Sequence, residues 1–563
     1  MRQPAMSNFE AGVTDPLLRA NSAGSAAALR SNGGGKSFGA NDPQLLAPTP
    51  VHASLSRSSS TSSTRSYLRL FIDRVVTPTQ HLLRPTFPGL APTYHGAPHR
   101  PLTRWEKARL FVNQTFSLVI STAFLLGVVV YALIVEAYQF GPKVVRRILG
   151  IDKDKTYEWD DHKHWRKEKV TKDPKDYARN CGMEIEEQTI VTDDGFYLRV
   201  HRVTDPTIDA RTVAPGRGFP VLILHGLFQS SGSFITSEDR SLAFWLARKG
   251  YQVYLGNTRG VFDMGHRSYA RTDPRFWVRN GALRFCALDV VRGSTDSAIP
   301  PKALHWTIRD LAMYDLPAMV DHVRDETGYD KIAFMGHSQG NGLTFISLSL
   351  GMCPDLGQKM SVFIALAPAV YAGPLTTGFP FTTLNRIEWD TWRRLFGVLD
   401  FIPLMKIAYD YCPAQIFSTV GYIMFAFLFS WTDANWLKRR KTKMFRFTPT
   451  QVSSASIFWW CGKGGFADRK CTLDDSLERW YDARFPPLSI YYGGCDYLVL
   501  TEPLLERLEQ KEKDVRVVKV TKLDKSEHCD FYWAAEAVEW GYESFVGEYK
   551  RVLSAWPALS KRS

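Results

Sequence analysis

Lys331-Ile332-Ala333-Phe334-Met335-Gly336-His337-Ser338-Gln339-Gly340-Asn341 decides the fold. Its centre fits G-x-S-x-G, a pattern that sets a serine on a sharp turn between a strand and a helix. The flanks suit that geometry. Residues 331–335 form a short, mostly apolar run, as in a buried parallel strand. Residues 341–350 carry enough apolar side chains for a helix. A turn this tight crowds the serine, and glycine on either side removes Cβ atoms that would clash.

The surrounding chain repeats the strand-and-helix alternation. Glu184–Val191 and Phe196–Val203 are alternating runs separated by Thr192-Asp193-Asp194-Gly195, a hairpin signal. Phe219–Leu224 reads as a strand, Ser241–Lys249 as a helix, Tyr251–Leu255 as a strand and Ile308–Val323 as a helix. Val362–Leu366, Leu488–Tyr492 and Val515–Val520 supply later strands. Such alternation predicts a mostly parallel sheet with covered faces.

A serine hydroxyl is a poor nucleophile until a base takes its proton, and the base needs a carboxylate to fix its tautomer. Around this kind of turn, acid and base follow the serine in the chain. His528 is the sole histidine after Ser338, so a histidine base in that part of the chain is His528. Asp496, in Gly493-Gly494-Cys495-Asp496, follows a predicted strand, where sites of open α/β sheets form. Asp524 and Asp530 are its rivals. A tetrahedral intermediate also needs two N–H donors. The N–H of Gln339, next after the serine, is one candidate. The N–H of Leu227, in His225-Gly226-Leu227 after the Phe219–Leu224 strand, is the other. His225 reads as structural.

Several short motifs occur in the order seen in one known group. They are Leu224-His225-Gly226-Leu227, Ser241-Leu242-Ala243-Phe244, Leu255-Gly256-Asn257-Thr258-Arg259-Gly260, Tyr314-Asp315-Leu316-Pro317-Ala318, the serine turn, Leu366-Ala367-Pro368-Ala369, and Glu527-His528-Cys529-Asp530-Phe531. Across residues 177–545 the chain resembles the acid lipase branch of the α/β-hydrolases, which includes fungal steryl ester hydrolases. The resemblance implies an α/β-hydrolase fold and hydrolysis of neutral lipid esters, steryl esters or acylglycerols. It implies Ser338, Asp496 and His528 as the triad, with no cofactor and no metal. One departure stands out. The family runs almost directly from a pair like Phe276-Trp277 into a segment like His305-Trp306-Thr307. Here residues 278–304 intervene, either a surface loop or retained intron sequence.

The 563 residues, 45% of them hydrophobic, suffice for such a domain with insertions. Net charge is +13, yet zinc-finger spacing, basic zippers and RNA-binding signatures are missing, so nucleic acid is not an expected partner. Eight scattered cysteines without C-x-x-C pairs read as reduced thiols and favour a cytosol-facing domain. Residues 1–100 are rich in Ser, Gly and Pro and read as a disordered tail. Residues 101–150 read as a transmembrane anchor with basic flanks. Its span, Phe116–Val135, has twenty uncharged residues, enough to cross a hydrocarbon core. It begins more than a hundred residues into the chain, unlike a cleavable signal peptide. The expected address is the endoplasmic reticulum, a lipid droplet or the plasma membrane.

The hydrolase domain is expected over 177–555, with a cap insertion at about 375–480. Within the cap, Ile416–Trp431 is nearly uncharged and precedes Lys438-Arg439-Arg440-Lys441-Thr442-Lys443. A second crossing there would put Ser338 and His528 on opposite sides of a bilayer. The run is therefore a packed cap helix or a segment lying on the membrane, with the basic cluster either solvated or meeting anionic lipid. A lipid-ester hydrolase, an acyltransferase using the same residues, and a catalytically dead lipid-binding scaffold all remain open.

Overall fold

The computed structural model describes residues 103–148, 156–165, 167–208, 218–268, 278–279 and 304–547. The chain divides into two units, residues 1–74 with 137–154, and residues 75–136 with 155–563. In the first, the described residues are 137–148, the end of helix α1 (Arg104–Ile148). The second holds everything discussed below. The expected tail at 1–100, the end of the anchor segment at 149–150, and residues 548–555 of the expected domain lie outside the described residues. So does most of the 278–304 segment, whose ends, Val278–Arg279 and Leu304–His305, pair as a two-residue antiparallel ribbon.

One sheet organises the hydrolase unit. Its strands are β1 (Glu184–Val191), β2 (Tyr197–Thr204), β3 (Pro220–Leu224), β4 (Gln252–Gly256), β5 (Ile332–His337), β6 (Met360–Leu366), β7 (Leu488–Gly493) and β8 (Val517–Leu523). They lie in the order β1-β2-β4-β3-β5-β6-β7-β8. β2 pairs antiparallel with β1 and with β4, and every other pairing is parallel. This is the mostly parallel α/β-hydrolase sheet. β3, β5 and β6 are buried at every residue, which is why their sequences are apolar runs rather than alternations. α2 (Leu242–Arg248), α3 (Leu316–Thr327) and α4 (Gln339–Leu348) supply covering helices.

The single helix expected over Ile308–Val323 is broken. A short helical turn at Ile308–Asp310 widens into a π-helical turn at Leu311–Asp315, and α3 then resumes. Pro317 has no N–H, so the regular ladder cannot run through this point. The distortion turns Asp315 inward. Arg259 Nη2 donates to Asp315 Oδ1 at 2.6 Å and Arg259 Nη1 to Asp194 Oδ2 at 2.8 Å, with all three side chains nearly fully buried. The Asp-Gly hairpin therefore supplies a buried counter-ion as well as a turn.

The cap leaves the sheet after β6 and returns at β7. It contains α5 (Leu404–Tyr411), α6 (Ala414–Phe429) and α7 (Ser454–Cys461). At 1.5 Å per residue the 16 residues of α6 reach about 24 Å, short of a hydrocarbon core of about 30 Å. α6 buries Phe417, Gly421, Met424 and Phe425, and Phe425 meets Phe228 edge-on at 5.6 Å.

The basic cluster after α6 departs from both expectations for it, a solvated end and a lipid-facing patch. Arg439, Arg440 and Lys443 converge on Glu238, whose side chain is fully buried. Arg439 also binds Asp160, and Lys443 binds Glu168. Lys441 binds Asp433 at 2.6 Å and lies 3.9 Å from the centre of the Tyr422 ring. Only Lys438 of the five is exposed. Like charges this close in sequence can be buried because an acidic side chain stands at their centre and two more at the edge. The cluster is an internal clasp joining the cap, the loop after β3 and the 160–168 segment.

Burial opposes ionisation of Glu238, but its hydrogen bonds from Arg439 and the charges of Arg440 and Lys443 win, holding the carboxyl down at about 2. A depressed acid stabilises the fold above its unfolded value and loses that contribution as pH falls. Glu238 should therefore contribute fully above pH ~4.5 and progressively less on acidification toward pH ~2. Glu238→Gln should cost about 3–5 kcal/mol by leaving buried cations unpaired. Urea unfolding at neutral pH should show this as a lower midpoint, and the difference from wild type should shrink below pH ~4.

Candidate active site

Ser338 sits at the β5–α4 turn with φ 51° and ψ −113°, a conformation rarely adopted by a residue with a Cβ. Close backbone approach explains the glycines beside it. A Cβ on Gly336 would lie 2.2 Å from Asn341 Oδ1, and one on Gly340 would lie 2.7 Å from Leu224 O. The turn is pinned to β6. Ser338 N–H donates to Leu366 O at 3.1 Å, and Asn341 Nδ2 donates to the same carbonyl at 2.6 Å.

The structure brings Ser338, His528 and Asp496 together. Ser338 Oγ is 2.8 Å from His528 Nε2, and His528 Nδ1 is 2.7 Å from Asp496 Oδ2. The second oxygen of Asp496 accepts from Leu498 N–H at 3.0 Å and Val499 N–H at 3.3 Å. A carboxylate so held fixes the proton of His528 on Nδ1 and frees Nε2 to accept from the serine. Glycines again set the spacing. A Cβ on Gly493 would lie 2.3 Å from Ser526 O, and one on Gly494 would lie 2.6 Å from Asp524 O. The acid and histidine loops also exchange backbone bonds, Gly494 N–H to Leu523 O and Cys495 N–H to Ser526 O.

The rival carboxylates do other things. Asp530 accepts from Glu527 N–H at 2.7 Å, Asn435 Nδ2 at 2.8 Å and Trp436 Nε1 at 2.6 Å, tying the cap to the histidine loop. Asp524 is exposed. His225 is buried, with Nδ1 2.8 Å from Gly226 O, and burial lowers its imidazole to about 4. Leu227 lines the cavity that contains Ser338. Gln339 begins α4, where an amide N–H has no intrahelical acceptor. Its side-chain Oε1 accepts from Trp460 Nε1 of the cap at 2.8 Å.

Sequence reasoning missed a buried network behind the relay. His337 Nε2 donates to the carbonyl of His528 at 2.9 Å. His337 Nδ1 accepts from Tyr532 Oη at 3.0 Å, and Gln229 Oε1 accepts from Gly226 N–H at 3.1 Å while standing 3.0 Å from Tyr532 Oη. Burial holds the His337 imidazole well below its ordinary value, so it stays neutral. The loop after β3, the serine turn and the His528 loop are thereby joined. His337 occupies an unspecified position of the motif, and nothing in the sequence distinguished it.

Ser338 and His528 open into a cavity that is partly exposed to solvent and walled almost wholly by apolar side chains. Phe401, Met424, Phe425, Trp431 and Ile457 are typical of its wall. Phe124, Leu125 and Val128 of α1 complete it. The sequence reading took α1 as an anchor alone. Its signal was the helical spacing of the buried residues Ser117, Ser121, Val128 and Ala132 within the apolar run.

Comparison with known proteins agrees with this architecture. Residues 174–238 match the family described as a partial alpha/beta-hydrolase lipase region, and residues 220–368 match the alpha/beta hydrolase fold family. Sterol esterase 2 of Saccharomyces cerevisiae is 30% identical over 412 residues, covering 66% of this chain and 70% of the relative. Mouse gastric triacylglycerol lipase is 26% identical, covering 65% and 88%, and human lipase member N is 26% identical, covering 66% and 88%. The chain belongs to the lipase branch of the α/β-hydrolases, and it is a carboxylic ester hydrolase.

Proposed function

We propose that the protein is a membrane-anchored lipase that cleaves neutral lipid esters, steryl esters or acylglycerols, through an acyl-enzyme on Ser338. One observation carries this reading: the Ser338–His528–Asp496 relay opens into a cavity walled almost wholly by apolar side chains. A long acyl chain or a sterol fills such a wall, and a peptide leaves its polar groups unpaired.

Ser338 Oγ attacks the ester carbonyl as His528 Nε2 takes the hydroxyl proton. The oxyanion accepts hydrogen bonds from Leu227 N–H and Gln339 N–H. Collapse breaks the ester C–O bond, and the proton on His528 goes to the leaving alcohol. Water, deprotonated by the same nitrogen, attacks the acyl-enzyme, and its proton returns to Ser338 as the acid leaves. Asp496 stays ionised and holds Nδ1–H throughout.

The anchor is the apolar stretch Phe111–Val135 of α1, long enough to cross a bilayer and mostly exposed. Large apolar side chains at Val119, Leu126, Val130 and Ile134 face outward. Exposure on this scale suits a helix in lipid better than one in water.

Ser338→Ala should lower kcat about 10⁶-fold and abolish fluorophosphonate labelling without loss of fold. Asp496→Asn should cost about 10³–10⁴-fold in kcat with little change in melting temperature. Asp530→Asn should do the reverse, lowering the melting temperature while sparing kcat per folded molecule. Near-wild-type activity for Asp496→Asn, with Asp530→Asn inactive though folded, would move the acid role to Asp530.

A panel of cholesteryl oleate, triolein and a peptide ester should show turnover of the two lipids, with fatty acid as product. Turnover of neither lipid would refute the substrate class. Deleting residues 1–150 should make the protein release much more readily in carbonate, with the exposed apolar cap keeping some affinity, whereas equal carbonate-resistant retention with and without the segment would refute α1 as the main anchor.

A further inference from the structure

The face of α1 turned toward the protein is continuous with the active-site cavity. Ser117, Ser121, Val128 and Ala132 are buried along one stripe of the helix, and Phe124 and Leu125 lie between them. The cap follows this stripe closely. A Cβ on Gly397 would stand 2.6 Å from Ser117 Oγ. Phe124 meets Phe396 edge-on at 5.2 Å, and Tyr131 meets Phe379 at 5.2 Å and Phe427 at 5.3 Å. From Ser117 to Tyr131 the helix rises about 21 Å. That is some two-thirds of a hydrocarbon core of about 30 Å.

A cap packed along that much of a membrane helix lies at the same depth as the helix. The exposed surface of the cap fits this placement. Phe379, Ile407, Ile416 and Val420 are between 40% and 58% exposed. The outward face of α1 is likewise apolar and exposed. Charged side chains are missing from Phe116–Val135 and from α6, so a nonpolar phase is the fitting occupant rather than an ionic or hydrogen-bonding partner.

Resting on the membrane-anchored lipase reading, we propose that α1 is a wall of the substrate site as well as an anchor. The ester enters from the hydrocarbon phase of the bilayer, along the seam between α1 and cap residues 379–429. Phe124, Leu125 and Val128 then contact its acyl or sterol part and help set substrate preference.

The test uses the full chain in phosphatidylcholine nanodiscs. A hexadecyl phosphonate ester with a diazirine at the chain end is added to the bilayer, allowed to react with Ser338, photolysed and mapped by peptide mass spectrometry. Labelling within residues 121–132, lost in Ser338→Ala, is the expected result. Chain-end labelling that leaves α1 untouched overturns the proposal. A diazirine phosphatidylcholine should label the opposite face around Val119 and Val130. Protection of that face by a second copy of the chain, seen as cross-linked dimers without lipid label, overturns the bilayer route.

Variants supply an independent arm. Leu125→Trp and Val128→Trp should lower the ratio of cholesteryl oleate to p-nitrophenyl acetate turnover in detergent at least tenfold. Val119→Trp and Val130→Trp should leave it within twofold. Val128→Ile, one methylene larger, should shift the ratio in the same direction by less, which keeps the arm readable if the tryptophan variants do not fold. An equal effect from both faces, or from neither, overturns the proposal. Wild-type turnover of cholesteryl oleate and carbonate extraction judge the lipase and anchor readings on their own. The position of the label and the change in the ratio judge the wall.

Discussion

The backbone of Ser338 is the constraint on which the site depends. A residue at φ 51° and ψ −113° costs on the order of 1–3 kcal/mol and persists only if its surroundings over-determine it. Here they do. β5 is buried throughout on one side, all ten residues of α4 are buried on the other, and Leu366 O takes hydrogen bonds from both Ser338 and Asn341. The serine hydroxyl is thus presented by two elements that cannot shift without breaking the core.

The same device recurs across the site. Gly336 and Gly340 let neighbouring atoms approach the serine turn, and Gly493 and Gly494 let the acid loop lie against the histidine loop. Close backbone packing sets the spacing of Ser338, His528 and Asp496. The neutral His337 imidazole then links the serine turn to the carbonyl of His528. Nucleophile and base are consequently held by one packed, hydrogen-bonded network. Because hydrogen-bond reach is only a few tenths of an ångström wide, that rigidity matters more than any single contact.

Much of the sheet was legible because buried parallel strands are short apolar runs between turn signals. Helix irregularity was not, because the π turn before α3 depends on Pro317 together with the partners waiting for Asp315 in the fold. The relay residues were legible because catalysis demands particular chemical types, and His528 had no rival. Its place after a strand favours Asp496 over Asp524 and Asp530, and it stands 2.7 Å from His528 Nδ1, whereas Asp530 begins a short helix. The basic cluster misled because a run of cations reads the same whether it faces lipid or a buried glutamate. Glu238 lies some 200 residues away, beyond the range of any local pattern.

The wall of the cavity also orders events in time. Phe124 and Phe396 touch in the fold but lie some 270 residues apart in the chain. α1 leaves the ribosome before any strand of the sheet, and the cap emerges after six of the eight strands. Local elements close early and distant contacts late, because a long loop must be ordered first. During synthesis the cavity is therefore a groove with one side missing, its apolar lining open while the sheet is already assembling. Completion waits for a late segment to find an early one. Until then the nascent chain exposes apolar surface of the kind that makes folding intermediates prone to aggregate.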